Sequence, residues 1–353
     1  MILENRIRKW IIAVAAMILL LLIAVYINYR RNSYLVIDGF AQGTTYHIVC
    51  IPDFSIHFLL HRDAYLFQDA VDSLLRRIDE SHSLYHPESV ITRINRNDPR
   101  VMVDALFETV FRKAVEVSEI TDGAFDITVG PVVNAWGFGP GEREEVDSAM
   151  IDSLLQYVGM EKVRLEGERV VKSLDGVLLD VNAIAQGYSV DLLAGFFEEK
   201  GIDRYLVELG GEVSASGLKR GRKQWKIGVD KPIDNNLVPG RELQAIVLLY
   251  NRSLATSGNY RKFYVENGVK YSHTIDPATG YPVRHNLLSA TIVADDCMTA
   301  DAFATACLVM GLEKSIDLMS QRAELEGFFI YSDENGAFET YATEGFQEMI
   351  EEK

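Results

Sequence analysis

The longest apolar stretch of the chain lies at its start, where residues 10–27 run without a charged or strongly polar side chain. That is about the lower limit for a helix that spans a bilayer. Beyond it the pattern changes to mixed periods. Residues 46–51 read as a strand, and Leu66, Ala70, Leu74, Leu75 and Ile78 then recur at helical spacing. Helices are predicted over 105–119, ended by the turn Thr121-Asp122-Gly123, over 152–158, and over 187–200, closed by Gly201. Strands are predicted over 205–209, 225–229 and 245–249. Helices and strands alternate unevenly, with several hairpin-like neighbours, which predicts an α+β fold rather than a doubly wound sheet. The acidic end, 344–353, is expected to be a solvated helix or a fraying terminus.

Flanking charge bears on the apolar stretch. Arg6, Arg8 and Lys9 precede it and Arg30 and Arg31 follow it, a slight bias towards a cytoplasmic N-terminus. A cleaved signal peptide is the alternative. The stretch is long for such a peptide, has no A-x-A exit and lacks a lipoprotein cysteine just beyond it, so an uncleaved anchor over 10–28 is favoured, after a short tail over 1–9. The expected location is the bacterial inner membrane, single-pass, with the catalytic unit on the periplasmic or extracytoplasmic side. No low-complexity linker or repeat divides the remainder, so one unit over 34–346 is expected, followed by an acidic tail over 347–353.

Composition narrows the ligand classes. With 48% hydrophobic and 24% charged residues the chain has ordinary globular composition. Its 35 basic and 51 acidic residues give a formal charge of -16, which repels nucleic acid and anionic lipid headgroups. An anionic ligand must therefore be received by a metal or by local donors. Cys50, Cys297 and Cys307 form no C-x-x-C pair and are odd in number, as expected of buried apolar side chains. Gly210-Gly211 follows a strand, but no G-x-G-x-x-G opens a helix and no G-x-x-x-x-G-K-S/T occurs, which excludes the common phosphate loops.

Several segments carry candidate chemistry. Small and apolar residues from Thr299 to Gly311 predict a buried helix, with Asp301 and Thr305 four apart on one face. A carboxylate there is costly unless paired or bound to a cation, and a hydroxyl one turn on adds a second hard oxygen, a pair suited to magnesium. The structural alternative, a dipole-favoured aspartate and a back-bonded threonine, is the commoner use of this pattern. In Asp180-Val181-Asn182-Ala183-Ile184-Ala185-Gln186-Gly187-Tyr188 a strand turns into a helix through small residues, offering N–H donors to phosphate; a tight turn capped by Asp180 accounts for it equally well. His273 precedes the rigid turn Asp276-Pro277-Ala278-Thr279-Gly280 and is placed for proton transfer, although a lone histidine is more often structural. Phe125, in Ala124-Phe125-Asp126, and Tyr85 are candidates to pack a planar ring, where core packing is the usual alternative.

Taken in order, these segments resemble the ApbE family, the FAD:protein FMN transferases. The resemblance runs from Gly43-Thr44-Thr45-Tyr46 through Ser83 to Asn95, Ala124 to Asp126, Asp180 to Tyr188, Gly210-Gly211, His273 to Pro282, and Asp301 to Thr305. It implies a T-fold-related α+β catalytic unit that moves the FMN half of FAD to a Thr or Ser hydroxyl, with release of AMP. The implied acceptor is a flavoprotein carrying a D-x-x-S/T-G-A-T/S motif. It further implies magnesium on Asp301, Thr305 and the Ala183 carbonyl, and FAD contacts at Gln42, Tyr85, Ala124, Phe125, Asp126, Asp180, Gln186 and Ile275. His273 is the candidate base and Asp276 its orienting or flavin-binding partner. The chain departs from the family where Gln186 replaces a frequent lysine, Gln42 a frequent methionine, and Glu208 and Glu212 flank the double glycine in place of Asn or Asp. The alternatives are an FAD pyrophosphatase that releases FMN and AMP, and a non-catalytic, membrane-tethered FAD carrier.

Overall fold

The computed structural model describes residues 2–31, 34–51, 64–233, 240–260, 263–266 and 269–352. In chain order the strands are β1 (Leu35–Ala41), β2 (Thr44–Cys50), β3 (Val163–Glu166), β4 (Arg169–Lys172), β5 (Tyr205–Leu209), β6 (Glu212–Ser216), β7 (Trp225–Asp230), β8 (Leu243–Leu249), β9 (Arg252–Gly258), β10 (Phe263–Glu266), β11 (Val269–Ser272), β12 (Leu287–Ala294), β13 (Glu326–Ser332) and β14 (Phe338–Ala342). The helices are α1 (Ile2–Arg31), α2 (Ala64–His82), α3 (Val90–Asn95), α4 (Ala105–Ile120), α5 (Gly130–Ala135), α6 (Ser148–Leu155), α7 (Ala185–Glu199), α8 (Cys297–Met310), α9 (Leu312–Ser320) and α10 (Glu344–Met349).

Eight strands form one sheet in the order β1-β2-β5-β6-β9-β12-β13-β14, and every neighbouring pair is antiparallel. The period-2 alternation of its strands divides the core. Ala290 and Ile292 of β12 and Phe329 of β13 pack with α4 and α8, whereas Val293, Phe328 and Ile330 join Trp225, Val247 and Phe346 on the opposite face, under the β7–β8 hairpin and α10. At the β1–β2–β5 end, Ile48, Val207 and Leu209 pack with Val71, Leu75 and Ile78 of α2 and Leu193 and Phe197 of α7. Hence α7 and α8 lie side by side on one face of the sheet. The α+β expectation holds.

Local chemistry accounts for the shifted boundaries. The helix expected over 152–158 begins at Ser148, because the Asp147 side chain accepts from the Met150 amide at 2.7 Å, and it stops at Leu155. The expected helix over 187–200 starts two residues sooner, at Ala185, with no side-chain cap. The late helix, expected from Thr299, begins at Cys297, because Asp296 caps it by accepting from Thr299 N at 2.7 Å. The C-terminal segment is not a solvated end: Phe346 is fully buried, stacks on Phe328 with centroids 5.2 Å apart, and is followed by a bridge from Ile350 to Val247.

At the other terminus α1 is one helix, and its described side chains from Trp10 to Ile23 are exposed. Among the described residues no helix is long and apolar enough to cross a membrane, so the span expected over 10–28 is not shown.

Candidate functional site

Two turns and a helix meet at the start of α7. The β1–β2 turn places Gln42, at φ 52°, so that its side-chain amide donates to Ser189 Oγ at 2.8 Å. The β5–β6 turn brings Gly210 to the Thr45 carbonyl at 3.1 Å, and the Gln186 amide borders that glycine: a Cβ there would stand 3.2 Å from Gln186 Nε2. Glu208 secures the turn by accepting from Gly211 N at 2.9 Å, and burial raises its pKa.

The third component is α8. Asp301 is 6% exposed, and its Oδ2 accepts from Gly187 N at 3.0 Å. That contact requires glycine, because a Cβ on Gly187 would stand 2.4 Å from the Cys297 carbonyl oxygen and 2.8 Å from Asp301 Cβ. One turn later Thr305 Oγ1 lies 2.9 Å from Ser257 Oγ of β9. Thr305 is therefore hydrogen-bonded across to the sheet, and its hydroxyl shares the α8 face with Asp301.

Charge at this face is uncompensated. Burial pushes the Asp301 pKa up, opposed by the Gly187 amide, and no cationic neighbour contributes. Asp191 of α7 is likewise pushed up to about 7 by burial, although it accepts from Cys297 N and Met298 N at 2.8 Å each. Buried carboxylates of this kind are stabilised by cations.

Ala183 lies in the turn leading into α7 and packs against the main core. Among the described residues no cluster of three or more His, Cys, Asp or Glu side chains could hold a metal. A metal here would use one carboxylate, one hydroxyl and a backbone carbonyl, a hard-oxygen set that suits magnesium and leaves positions for water and phosphate oxygens. The residues present fit that ion.

Backbone and side-chain hydrogen bonds tie the segments that carry several of the remaining candidates to the strand and turn ahead of α7. Asp180 N donates to Ile127 O at 2.7 Å, and Asp180 Oδ1 accepts from Asn182 N at 2.8 Å, which holds the 124–128 segment against the approach to α7. Asp126 Oδ1 accepts from both the amide and the hydroxyl of Thr128, and burial outweighs those bonds to raise its pKa. Ala124 is half-buried, whereas Phe125 is 2% exposed within the main core. As a ring platform Phe125 is thus displaced by its packing role. Tyr85 is 70% exposed, in a turn secured by Ser89 Oγ and Thr92 Oγ1 on the Ser83 carbonyl, and α3 beyond it reaches the site through Asn95, which bonds both backbone groups of Leu179.

The turn after His273 is tied separately. Ile275 bridges Pro282, and Trp136 Nε1 donates to Gly280 O at 2.8 Å. Asp276 accepts from Ala278 N at 2.9 Å and from Thr279 Oγ1 at 3.0 Å, so its carboxylate organises its own turn. His273 is half-buried and meets Phe138 edge-on at 6.3 Å.

Three participants escaped sequence reasoning. Asp191 sits one turn after Gly187 and is the only charged or polar side chain from Val190 to Phe197, the same signal that marked Asp301. Ser257 and Ser189 carried no such signal: the first is set by the pairing of β9 with β12, Ser257 opposite Ala290, and the second by a turn from another part of the chain. A cavity of about 280 Å³ between the β1–β2 hairpin and α2, lined by Phe40, Tyr46, Gln68, Asp72 and Arg76, contains none of the expected site residues.

Residues 42–329 match the ApbE family. The chain is 33% identical over 347 residues to the FAD:protein FMN transferase of Vibrio cholerae, covering 97% of this chain and 99% of that one. It is 32% identical over 333 residues to the protein of the same name from Haemophilus influenzae, covering 92% and 94%. Among solved structures it is similar to the flavin transferase ApbE of Vibrio cholerae, with a TM-score of 0.80, 33% identity, and 90% of this chain and 99% of that chain covered. The apo form of the flavinyl transferase ApbE from Pseudomonas stutzeri aligns at a TM-score of 0.76 and 29% identity, covering 90% and 97%.

Proposed function

We propose how this chain, which belongs to the ApbE family and is an enzyme transferring FMN from FAD to a protein, carries out that transfer: a Thr or Ser hydroxyl of the acceptor attacks the FMN phosphorus at a magnesium-dependent site built on α7 and α8. The observation that carries this reading is the buried Asp301 carboxylate, held by one amide and without a cationic neighbour, one helical turn from a hydroxyl. Asp301, Thr305 and the Ala183 carbonyl would hold the ion. Bound there, magnesium supplies charge neutralisation for the pyrophosphate and for the departing AMP phosphate.

The chain's own groups do the rest. The turns at Gln42 and Gly210-Gly211 shape the start of α7, and the Gln186 side-chain amide beside them donates to a phosphate oxygen in place of a lysine. The acceptor oxygen forms a bond to the FMN phosphorus as the bond from that phosphorus to AMP breaks in line, and positioning accounts for most of the acceleration. His273 takes the hydroxyl proton. Asp276, committed to Ala278 and Thr279, positions the histidine's turn and acts through it. Tyr85, Ala124, Asp126, Asp180 and Ile275 line the route of the flavin half, with Phe125 contributing through the backbone it anchors.

The acceptor is a flavoprotein segment of the D-x-x-S/T-G-A-T/S type. The helix over 10–28 fixes the enzyme to the inner membrane with its catalytic unit on the outer side, a reading supported by the exposed apolar side chains of α1. Incubation of the full chain with FAD, magnesium and an acceptor domain tests the scheme by AMP release and flavin fluorescence of the denatured acceptor. Asp301→Ala is expected to lose both signals while keeping its fold. Retention of both signals in that variant overturns the metal assignment, and AMP release without labelled acceptor converts the reaction to hydrolysis.

A further inference from the structure

Although the chain as a whole is acidic, Lys219, Arg220, Arg222 and Lys223 fall within the eight residues that link β6 to β7, and Lys226 follows as the second residue of β7. Lys226 is paired with Glu351. Arg222 and Lys223 are exposed and take part in no ion pair among the described residues. Burial, followed by the like charges of Lys226 and Lys223, lowers the Lys219 pKa, a sign of crowded cations. The Arg220 guanidinium lies 4.3 Å from the centre of the Tyr34 ring, with Nε and one terminal nitrogen, Nη2, buried and lacking a hydrogen-bond partner.

Tyr34 ties this cluster to the N-terminal helix. It stands three residues after Arg31, where α1 ends, and three residues of chain reach about 11 Å at most. The helix end is therefore held near the cluster by the chain to Tyr34 and by the contact of that ring with Arg220. Both also lie at the far end of the sheet from the catalytic centre. Leu35 pairs with Cys50 at one end of the β1–β2 hairpin and Gln42 turns at the other; Ser216, ahead of the cluster, ends the strand that Gly211 and Glu212 begin. A strand of seven residues separates such ends by roughly 23 Å.

We propose that the 219–226 turn binds anionic phospholipid headgroups at the membrane surface and so holds the FAD site facing away from the bilayer, towards the acceptor. The proposal rests on the anchoring reading of residues 10–28. Attraction between the cluster and headgroups decays over about 8 Å at physiological ionic strength, so the tether at Tyr34 brings the cluster within range. The chain as a whole carries a net negative charge and is repelled by the same lipid, which favours the orientation that presents the cluster. Each lysine or arginine at such a surface contributes about fivefold in binding.

A label at Gln224 tests it, since this exposed position lies within the turn and Cys50, Cys297 and Cys307 are buried. The full chain carrying Gln224→Cys, labelled with a fluorophore, is reconstituted in phosphatidylcholine vesicles with or without phosphatidylglycerol, each containing a nitroxide-headgroup lipid. Quenching is expected to be several-fold stronger with the anionic lipid and to disappear at about 1 M salt. Adding Arg222→Glu and Lys223→Glu is expected to abolish it while FMN transfer in detergent is retained. Equal quenching in neutral and anionic vesicles overturns the proposal. So does quenching unchanged by the double substitution with a raised KM for the acceptor, which makes the turn a protein-docking surface. Co-flotation with vesicles at about 1 M salt reads the anchor separately: its loss, with salt-sensitive quenching retained, removes the anchor and leaves the headgroup site.

Discussion

The Gly187 amide donates to Asp301 Oδ2 at 3.0 Å, and a Cβ on that glycine has no room between α7 and α8. The same residue that lets the helices approach thus supplies the carboxylate's hydrogen-bond donor. Gly187→Ala is expected to cost about 1–3 kcal/mol by overpacking and to lose magnesium-dependent AMP release with it. Gly195→Ala, on the same helix with nothing within 4 Å of the new carbon, is the control and is expected to be neutral or slightly stabilising. Urea unfolding of the two variants beside AMP assays reads both effects.

Buried carboxylates beside that contact give stability a pH dependence of unusual sign. Asp191 rises from 3.8 to about 7 on burial, and Asp301 moves in the same direction. The folded state then binds protons that the unfolded state has released, so this contribution is full below pH 3.8 and is lost as pH rises through about 7. The metal-free chain is expected to lose stability over that window, with magnesium restoring it above pH 7. His82, lowered from 6.5 to about 4 by burial, acts oppositely over part of the range. Subtracting the unfolding profile of Asp191→Asn cancels the histidine, and a difference flat with pH would refute the assignment. Asp301→Asn should remove the magnesium response.

Two aromatic residues that share a sequence signal are expected to separate under mutation. Phe125→Ala removes a side chain that is 2% exposed in the main core and should destabilise by about 3–5 kcal/mol. Tyr85→Ala removes one that is 70% exposed and should leave stability within about 0.5 kcal/mol while raising KM for FAD. Chemical denaturation with a flavin fluorescence titration distinguishes a core residue from a ligand contact.

That contrast shows how far the fold and site were legible. Periodic apolar positions marked α2, α4, α7 and α8, because helix spacing is local. Yet Leu66, at the same spacing as Leu75, is 59% exposed. The strands β9, β12 and β13 were not foreseen, because a sheet strand is defined by partners far along the chain. For the same reason Ser257 was missed: only its pairing opposite Ala290 places its hydroxyl at Thr305. Spacing on one helix singles out Asp301 and Thr305 as a pair, and the family resemblance turns that pair into a metal site; their environment, a facing glycine and no cation, depends on how α7 packs against α8. Phe346 was assigned to solvent because the acidic residues around it outweigh one aromatic in sequence. In the structure that ring occupies the core beside Phe328.

Gln186 poses the last test, because the family resemblance implies a lysine at this position. A Cβ on Gly210 would lie 3.2 Å from both Gln186 Nε2 and Glu212 Oε2, so the amide and the carboxylate border one turn. A lysine placed there meets Glu212 before it meets a phosphate, and the attraction holds its charge away from FAD. Gln186→Lys alone is therefore expected to lower KM for FAD by only about twofold. With Glu212→Gln added, the lysine is released to the pyrophosphate and the gain should approach tenfold, a coupling of about 1 kcal/mol between neighbouring sites. Measuring KM for FAD in the parent, the two single variants and the double variant closes the cycle. Strict additivity would mean that Glu212 does not compete for residue 186, and that the glutamine's place in this site has another cause.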